Sequence, residues 1–225
     1  MPADRLLILH IEDDALWRAL VEQHLNDMEA VGRVVPCENG AAGLALLQDH
    51  QPDIVLLDLR LPDAEGFALS TELARVRPGS RILLLSARTD DVALASVMQE
   101  HIAGLVEKSP DIAHHLPAAI AAVAAGRKYY TPAVREQIRR LRADPRAYYK
   151  ILSAREIELL PGFGLGMTDE ELAVRSGLRP LTVKSHRQHV MTKLGLHRTP
   201  ELIHWAIEHG FVAPPPRIGW VREDE

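Results

Sequence analysis

Four short apolar runs, at 6–11, 54–57, 82–85 and 102–106, punctuate the first half of the chain, and segments with helical periodicity fill the gaps between them. Apolar runs this short, bounded by turn formers, fit strands buried on both faces of a sheet, where no polar alternation is needed. Between the first two runs Leu16, Leu20, Val21, Leu25 and Met28 recur at helical spacing, and Asn39 caps a second helix carrying Leu44, Leu46 and Leu47. Further helices are predicted over 67–76, 90–100 and 113–125, with Pro78-Gly79 ending the first of these. The alternation predicts a doubly wound α/β domain on a parallel sheet of five strands, covered on both faces.

After Gly126 no further strand is convincing. Thr131-Pro132 starts a helix, with Thr131 as cap and proline in the first turn, and Val134, Ile138 and Leu141 line one side before Asp144-Pro145 stops it. Two capping boxes, Ser153-Ala154-Arg155-Glu156 and Thr168-Asp169-Glu170-Glu171, then open short helices that end at glycines. The expected organisation is an α/β domain over 1–125, a basic helical linker over 126–149 and an all-α domain of four helices over 150–212. The pattern assigns no role to the tail, 213–225.

Charge sharpens these boundaries. The formal net charge is -5, but about -10 falls on 1–125 and about +5 on 126–149, so a basic segment lies inside an acidic chain. A single cysteine, Cys37, excludes an internal disulfide and points to a reducing compartment. With no secretion signal and no apolar stretch of about 18 residues, a soluble, cytoplasmic protein without membrane association is expected.

The chemistry collects where the apolar runs end. The first run leads into Glu12-Asp13-Asp14, the second into Asp58, the third into Ser86, and Lys108 follows the fourth. Parallel sheets bind ligands at the carboxyl ends of their strands, so these groups can converge on one pocket. Singly, an Asp after a strand is commonly a cap and a Lys a solvated charge; four at matching strand ends are a site. Two carboxylates about 4 Å apart repel by about 4 kcal/mol at an effective dielectric near 20, so a cation or a proton must sit among them. Oxygen donors with a backbone carbonyl and waters suit Mg²⁺, and beside Mg²⁺ an aspartate can attack a phosphoryl group.

Glu12-Asp13, Asp58-Leu59-Arg60-Leu61-Pro62 with Gly66, Leu85-Ser86-Ala87 and Lys108 resemble the flavodoxin-like receiver domain of two-component response regulators. The resemblance implies that Asp58 accepts phosphate from a sensor histidine kinase. It also implies that Glu12, Asp13, Asp58 and the Arg60 main-chain carbonyl hold Mg²⁺, that Ser86 is the switch hydroxyl and that Lys108 is the counter-charge. Asp14, one position beyond the acidic pair, is expected to cap a helix. The chain departs from the family at Leu105, where a switch Tyr or Phe usually stands.

In the second half, Val183, Val190 and Leu194 form the buried stripe of a helix over 181–194, with Lys184, Ser185, Gln188 and Thr192 opposite. Cationic and amide side chains on one helix face suit the DNA major groove. A capped helix and the turn Ser176-Gly177-Leu178 precede it, the layout of a helix-turn-helix. The segments 152–160, 166–173, 182–186 and 193–195 resemble the LuxR-type DNA-binding domain, and the whole chain resembles a NarL/FixJ-type response regulator. By that resemblance Lys184, Ser185 and Gln188 face bases, Thr182, Arg187 and Lys193 face phosphates or groove edges, and Leu202, Trp205 and Ala206 form a dimer surface. Arg179 stands where Ser or Thr usually caps the helix, and is expected at a phosphate. The implied activity is phosphorylation-controlled transcription, with a homodimer reading promoter half-sites and no catalysis beyond the receiver's own phosphoryl transfer and dephosphorylation. Two alternatives stay open. One is a transcription factor that does not need phosphate, as Leu105 would allow. The other is a phosphatase of the haloacid dehalogenase type, which usually wants a second Asp two residues after the nucleophile, where this chain has Arg60.

Overall fold

The computed structural model describes residues 5–64 and 66–212, so the tail lies outside the described residues. Two compact units divide the chain: residues 1–89 with 93–141, and residues 142–225 with 90–92.

In the first unit the strands are β1 (Leu6–Ile11), β2 (Val31–Cys37), β3 (Ile54–Asp58), β4 (Arg81–Ser86), β5 (Ile102–Glu107) and β6 (Tyr129–Tyr130). They form one parallel sheet in the order β2-β1-β3-β4-β5-β6. The helices between them are α1 (Ala15–Asn26), α2 (Gly40–His50), α3 (Gly66–Val76), α4 (Asp91–Ser96) and α5 (Ile112–Ala124), and α6 (Pro132–Ala143) follows β6. All five residues of β3 are buried, as a central strand covered on both faces requires. On one face Ile8, Leu56, Leu83, Leu85 and Val106 pack with Val21 and Leu25 of α1 and Leu116 and Ile120 of α5.

Three elements differ from the sequence expectation, each for a local reason. The apolar runs located four strands, and the remaining one is β2. It lies at the sheet edge, carries Gly32 and Pro36, and mixes buried, half-buried and exposed positions, so it shows no apolar run. The sheet has six strands rather than five because two residues, Tyr129 and Tyr130, pair with Gly104 and Leu105. A Cβ at Gly104 would lie 1.9 Å from the Tyr129 carbonyl oxygen, so glycine there permits the pairing. α4 ends at Ser96, because Met98 and Gln99 bond three residues back, to Ala95 and Ser96, in tighter turns. The apolar stripe of α1 is also narrower than its spacing implies: Val21 and Leu25 are buried, whereas Leu16 is 82% exposed.

The second unit is helical: α7 (Tyr148–Ile151), α8 (Ala154–Gly164), α9 (Asp169–Ser176), α10 (Pro180–Leu194) and α11 (Thr199–Glu208). Both capping boxes form. Ser153 and Glu156 exchange side-chain-to-backbone bonds at the start of α8, and Thr168 and Glu171 do so at α9. Gly177 and Gly195, both left-handed, end α9 and α10. α8 and α11 approach so closely that a Cβ on Gly164 would stand 2.8 Å from the Ala206 Cβ. No helix among the described residues is long and apolar enough to cross a membrane.

Candidate functional site

At the carboxyl end of the sheet, β1, β3 and β5 bring Glu12, Asp58 and Lys108 together. The Lys108 ammonium donates to Asp58 Oδ2 at 2.8 Å and to Glu12 Oε1 at 2.8 Å. It also lies 2.6 Å from Glu12 Oε2, which receives no well-directed hydrogen bond although it is buried. All three side chains are at least nine-tenths buried, so water screens their charges little. Burial is the largest influence on Glu12 and drives its pKa up to about 7; the Lys108 hydrogen bond opposes that rise and the Asp58 charge adds to it. His10, in β1 beneath Glu12, is buried with neither ring nitrogen hydrogen-bonded; burial first, then Lys108 and Arg18, lowers its pKa to about 3, so the ring is neutral.

Carboxylate oxygens of Glu12, Asp13 and Asp58 lie within 4.8 Å of one another. An all-oxygen donor set with one buried oxygen lacking a hydrogen bond fits a hard divalent cation, and the Lys108 ammonium neutralises the same carboxylates. Arg60 is exposed in the loop leaving β3. Ser86 is buried at the end of β4, its hydroxyl accepting from the Arg88 amide at 2.9 Å, and its carbonyl accepts from the Lys108 amide at 2.9 Å. Ser86 and Lys108 are thereby tied by backbone. Asp14 caps α1, accepting from the Leu16 and Trp17 amides at 2.8 and 3.1 Å.

Several positioning groups carry no sequence signal. Arg18 donates to the Glu12 carbonyl at 2.7 Å and to Glu38 at 3.2 Å, fixing the turn that presents the acidic pair. Asp63 accepts from the Gly40 and Ala41 amides, both at 2.9 Å, and so ties the loop after Asp58 to the start of α2. Glu107, next to Lys108, accepts from the Thr131 hydroxyl at 3.0 Å, and that oxygen in turn accepts from the Val134 amide at 3.4 Å. Lys108 is therefore one residue from a group that holds the cap of α6. Leu105 is fully buried, between its sheet partners Leu84 and Tyr130. The nearby aromatic is Tyr130, whose hydroxyl donates to the Val97 carbonyl at 3.1 Å.

In the second unit α9, a three-residue turn and α10 make a helix-turn-helix. Val183 and Val190 of α10 are buried, while Thr182, Lys184, Ser185 and Gln188 are exposed, as is Arg179, which makes no capping bond. Two of the residues expected at DNA make contacts within the domain. Arg187 is 11% exposed and donates to Asp169 Oδ1 at 2.9 Å and to the Met167 carbonyl at 2.8 Å, with its guanidinium 4.5 Å from the Phe163 ring centre. It locks α10 onto α8 and α9. Lys193 places its ammonium 2.6 Å from Glu156 Oε2, at the capping box of α8, and remains exposed.

The expected dimer surface is corrected at two of its three residues, Leu202 and Ala206. Leu202 and Ala206 are fully buried in the close packing of α11 on α8, and Trp205 stacks on His209 at 4.0 Å and Phe211 at 5.7 Å.

The Lys193–Glu156 pair has a pH consequence. Burial is the largest single influence on Glu156 and acts to raise its pKa, but the Lys193 and Ser153 hydrogen bonds together outweigh it, and the net shift is downward. A carboxyl lowered in the folded state stabilises fully above its unfolded pKa, near 4.5, and loses that contribution as pH falls through the folded value. Glu156→Gln should therefore cost about 1–3 kcal/mol at neutral pH and flatten the acid limb of the stability curve. Urea denaturation between pH 3 and 7, on the order of that window, checks this; an unchanged acid limb counts against it.

An aspartate beside a lysine and two further acids, at the carboxyl end of a parallel α/β sheet, with a helix-turn-helix in the same chain, defines a receiver joined to a DNA-binding domain. Comparison with known proteins agrees. The response regulator receiver domain model matches residues 8–120, and the model of bacterial regulatory proteins of the luxR family matches 150–206. The chain belongs to the LuxR-family response regulators. It is 30% identical over 212 residues to the oxygen regulatory protein NreC of Staphylococcus epidermidis, covering 89% of this chain and 96% of that one. It is 31% identical over 214 residues to NreC of Staphylococcus aureus, with the same coverage. Among solved structures, RcsB from Salmonella enterica serovar Typhimurium bound to promoter rprA superposes with a TM-score of 0.66 at 22% identity, over 90% of this chain and 98% of that one. At that identity the superposition carries the fold alone.

Proposed function

We propose that the chain is a phosphorylation-controlled transcription factor of the cytoplasm. A sensor histidine kinase supplies the phosphoryl group, and Asp58 accepts it. The observation that carries this reading is the Lys108 ammonium held 2.8 Å from Asp58 in a buried acidic pocket, in a chain that also carries an exposed polar face on α10. An Asp58 oxygen attacks phosphorus; the P–O bond forms as the P–N bond breaks, and the imidazole leaves with the electron pair and takes a proton from water. Glu12, Asp13, Asp58 and the Arg60 carbonyl would hold Mg²⁺, which supplies charge neutralisation for the phosphoryl oxygens. Lys108 exchanges a carboxylate oxygen for a phosphoryl oxygen, and the Ser86 hydroxyl donates to another. The shift at the end of β5 reaches α6 through Glu107 and Thr131. The chain's own chemistry ends with gaining and losing this phosphoryl group.

The phosphorylated form pairs as a homodimer, and each α10 enters a major groove with Lys184, Ser185 and Gln188 toward the base edges, Thr182 toward phosphates or the groove edge and Arg179 toward a phosphate. Two half-sites about one helical turn apart suit such a dimer. A second reading, DNA binding that needs no phosphate, is favoured by one observation: buried Leu105 has no ring to move between rotamers.

One experiment separates them. Duplexes are enriched from a random library with the full chain at fixed salt, with and without a small phosphodonor and Mg²⁺, and sedimentation follows the oligomeric state. Phosphorylation control predicts dimer formation and about tenfold or more tighter binding after treatment, within the usual range of allosteric coupling. Equal binding by treated and untreated protein supports the second reading.

A further inference from the structure

We infer that Leu181 reads a thymine methyl group, which makes it a specificity-determining residue of the DNA-binding face. The inference rests on the DNA-binding mode proposed above. On α10 the other aliphatic residues turn inward, Val183 and Val190 completely, but Leu181 is 78% exposed. At about 100° per residue, Leu181 falls about 60° from Lys184 and about 20° from Gln188, between Gln188 and Ser185. A branched apolar side chain therefore stands in the middle of a polar face, where it contributes nothing to the domain's interior. It is the second residue of α10, and in helix-turn-helix docking the first turns of the second helix meet the base edges.

The side chains beside it on the base-facing side are suited to other contacts. Lys184 offers donors, Gln188 an amide and Ser185 a hydroxyl, all suited to the nitrogen and oxygen atoms of base edges. The feature they leave unread is the thymine C5-methyl, the apolar group of the major groove. The proposed arrangement is a mixed readout, with Lys184 and Gln188 bonded to neighbouring bases and Leu181 removing one methyl from water in each half-site. Its exposure in the free protein makes the side chain dispensable for folding, so the variant tests recognition rather than stability.

Replacing thymine by deoxyuridine removes the methyl and leaves every hydrogen-bonding group in place. The full chain, treated with phosphodonor and Mg²⁺, is first used to enrich duplexes, and each thymine of the enriched site is then replaced singly by deoxyuridine. The protein should lose about fourfold in affinity at one thymine per half-site, the value of burying one methyl-sized group, and about fifteenfold when both are replaced. Leu181→Ala should bind thymine and deoxyuridine duplexes alike at that position, within about twofold of the unaltered protein on deoxyuridine. The inference is overturned if the unaltered protein is indifferent to deoxyuridine everywhere, if Leu181→Ala keeps the methyl preference, or if Leu181→Ala abolishes binding to both duplexes. Failure to enrich any duplex overturns it together with the proposed DNA-binding mode, whereas the other outcomes leave that mode standing.

Discussion

Asp58→Asn and Asp58→Ala should take up no base-labile phosphoryl group from a small phosphodonor in Mg²⁺, and their DNA affinity should be the same with and without the donor. The loss is expected to be complete because neither neighbouring carboxylate of the pocket can substitute. Glu12 is buried with both oxygens against Lys108, and Asp13 is exposed outside the hydrogen bonds of the Lys108 ammonium. Asp58 is the last residue of β3 and meets Lys108 through Oδ2 at 2.8 Å, which leaves the lysine placed to bind the new oxygens. Asn keeps the shape and a hydrogen-bond acceptor for Lys108, so a loss in Asp58→Asn reports nucleophilicity rather than packing. Intact-mass measurement before and after base treatment reads the outcome. Uptake by Asp58→Asn equal to that of the unaltered protein would sink the assignment.

Removing Lys108 should have the largest effect on stability. Lys108→Ala leaves Glu12 and Asp58 buried and facing each other, and breaking a buried ion pair from one side costs about 3–5 kcal/mol. Glu12, already raised to about 7, can take up a proton, which holds the cost toward the lower end of that range. A divalent cation bound only by the folded state restores stability as RT ln(1 + [L]/Kd), so the variant should gain about 3 kcal/mol when Mg²⁺ stands about 100-fold above its Kd. The unaltered protein should gain less at the same Mg²⁺ concentration, because the Lys108 ammonium already neutralises those oxygens. Lys108→Met, which keeps the stem volume, separates charge from packing. Urea denaturation in chelator and in Mg²⁺ gives both numbers, and equal Mg²⁺ responses in the variant and the unaltered protein would refute a shared cation site.

Together with the Leu181 inference, these expectations divide the molecule into a pocket where charge is stored and a helix face where sequence is read. The link most open to intervention is the hydrogen bond from Thr131 to Glu107, which joins the residue beside Lys108 to the start of α6. Thr131 reads as a helix cap in the sequence and Glu107 carries no signal, and only the pairing of β5 with β6 brings them together.

The sequence by itself determined what short-range forces decide. Apolar runs located the four inner strands, caps such as Asn39, Asp14, Ser153 and Thr168 marked helix starts, and residues at successive strand ends met because a parallel sheet aligns its carboxyl ends. The two strands it missed are those with the least local signal: edge strand β2, broken by Gly32 and Pro36, and the two-residue β6. Only the tertiary structure decided the employment of long, charged or amphipathic side chains. Arg187 and Lys184 lie three residues apart on one helix, yet Arg187 turns inward onto Asp169 and Phe163 while Lys184 stays exposed. Leu202 and Leu181 are both leucines on surface-patterned helices, but the contact of Ala206 with Gly164 buries the first, whereas the second is 78% exposed among the described residues. Helical periodicity gives the direction of a side chain from its own axis. What lies in that direction depends on residues 18 to 50 or more positions away in the chain, as Asp169 is from Arg187 and Lys108 is from Asp58.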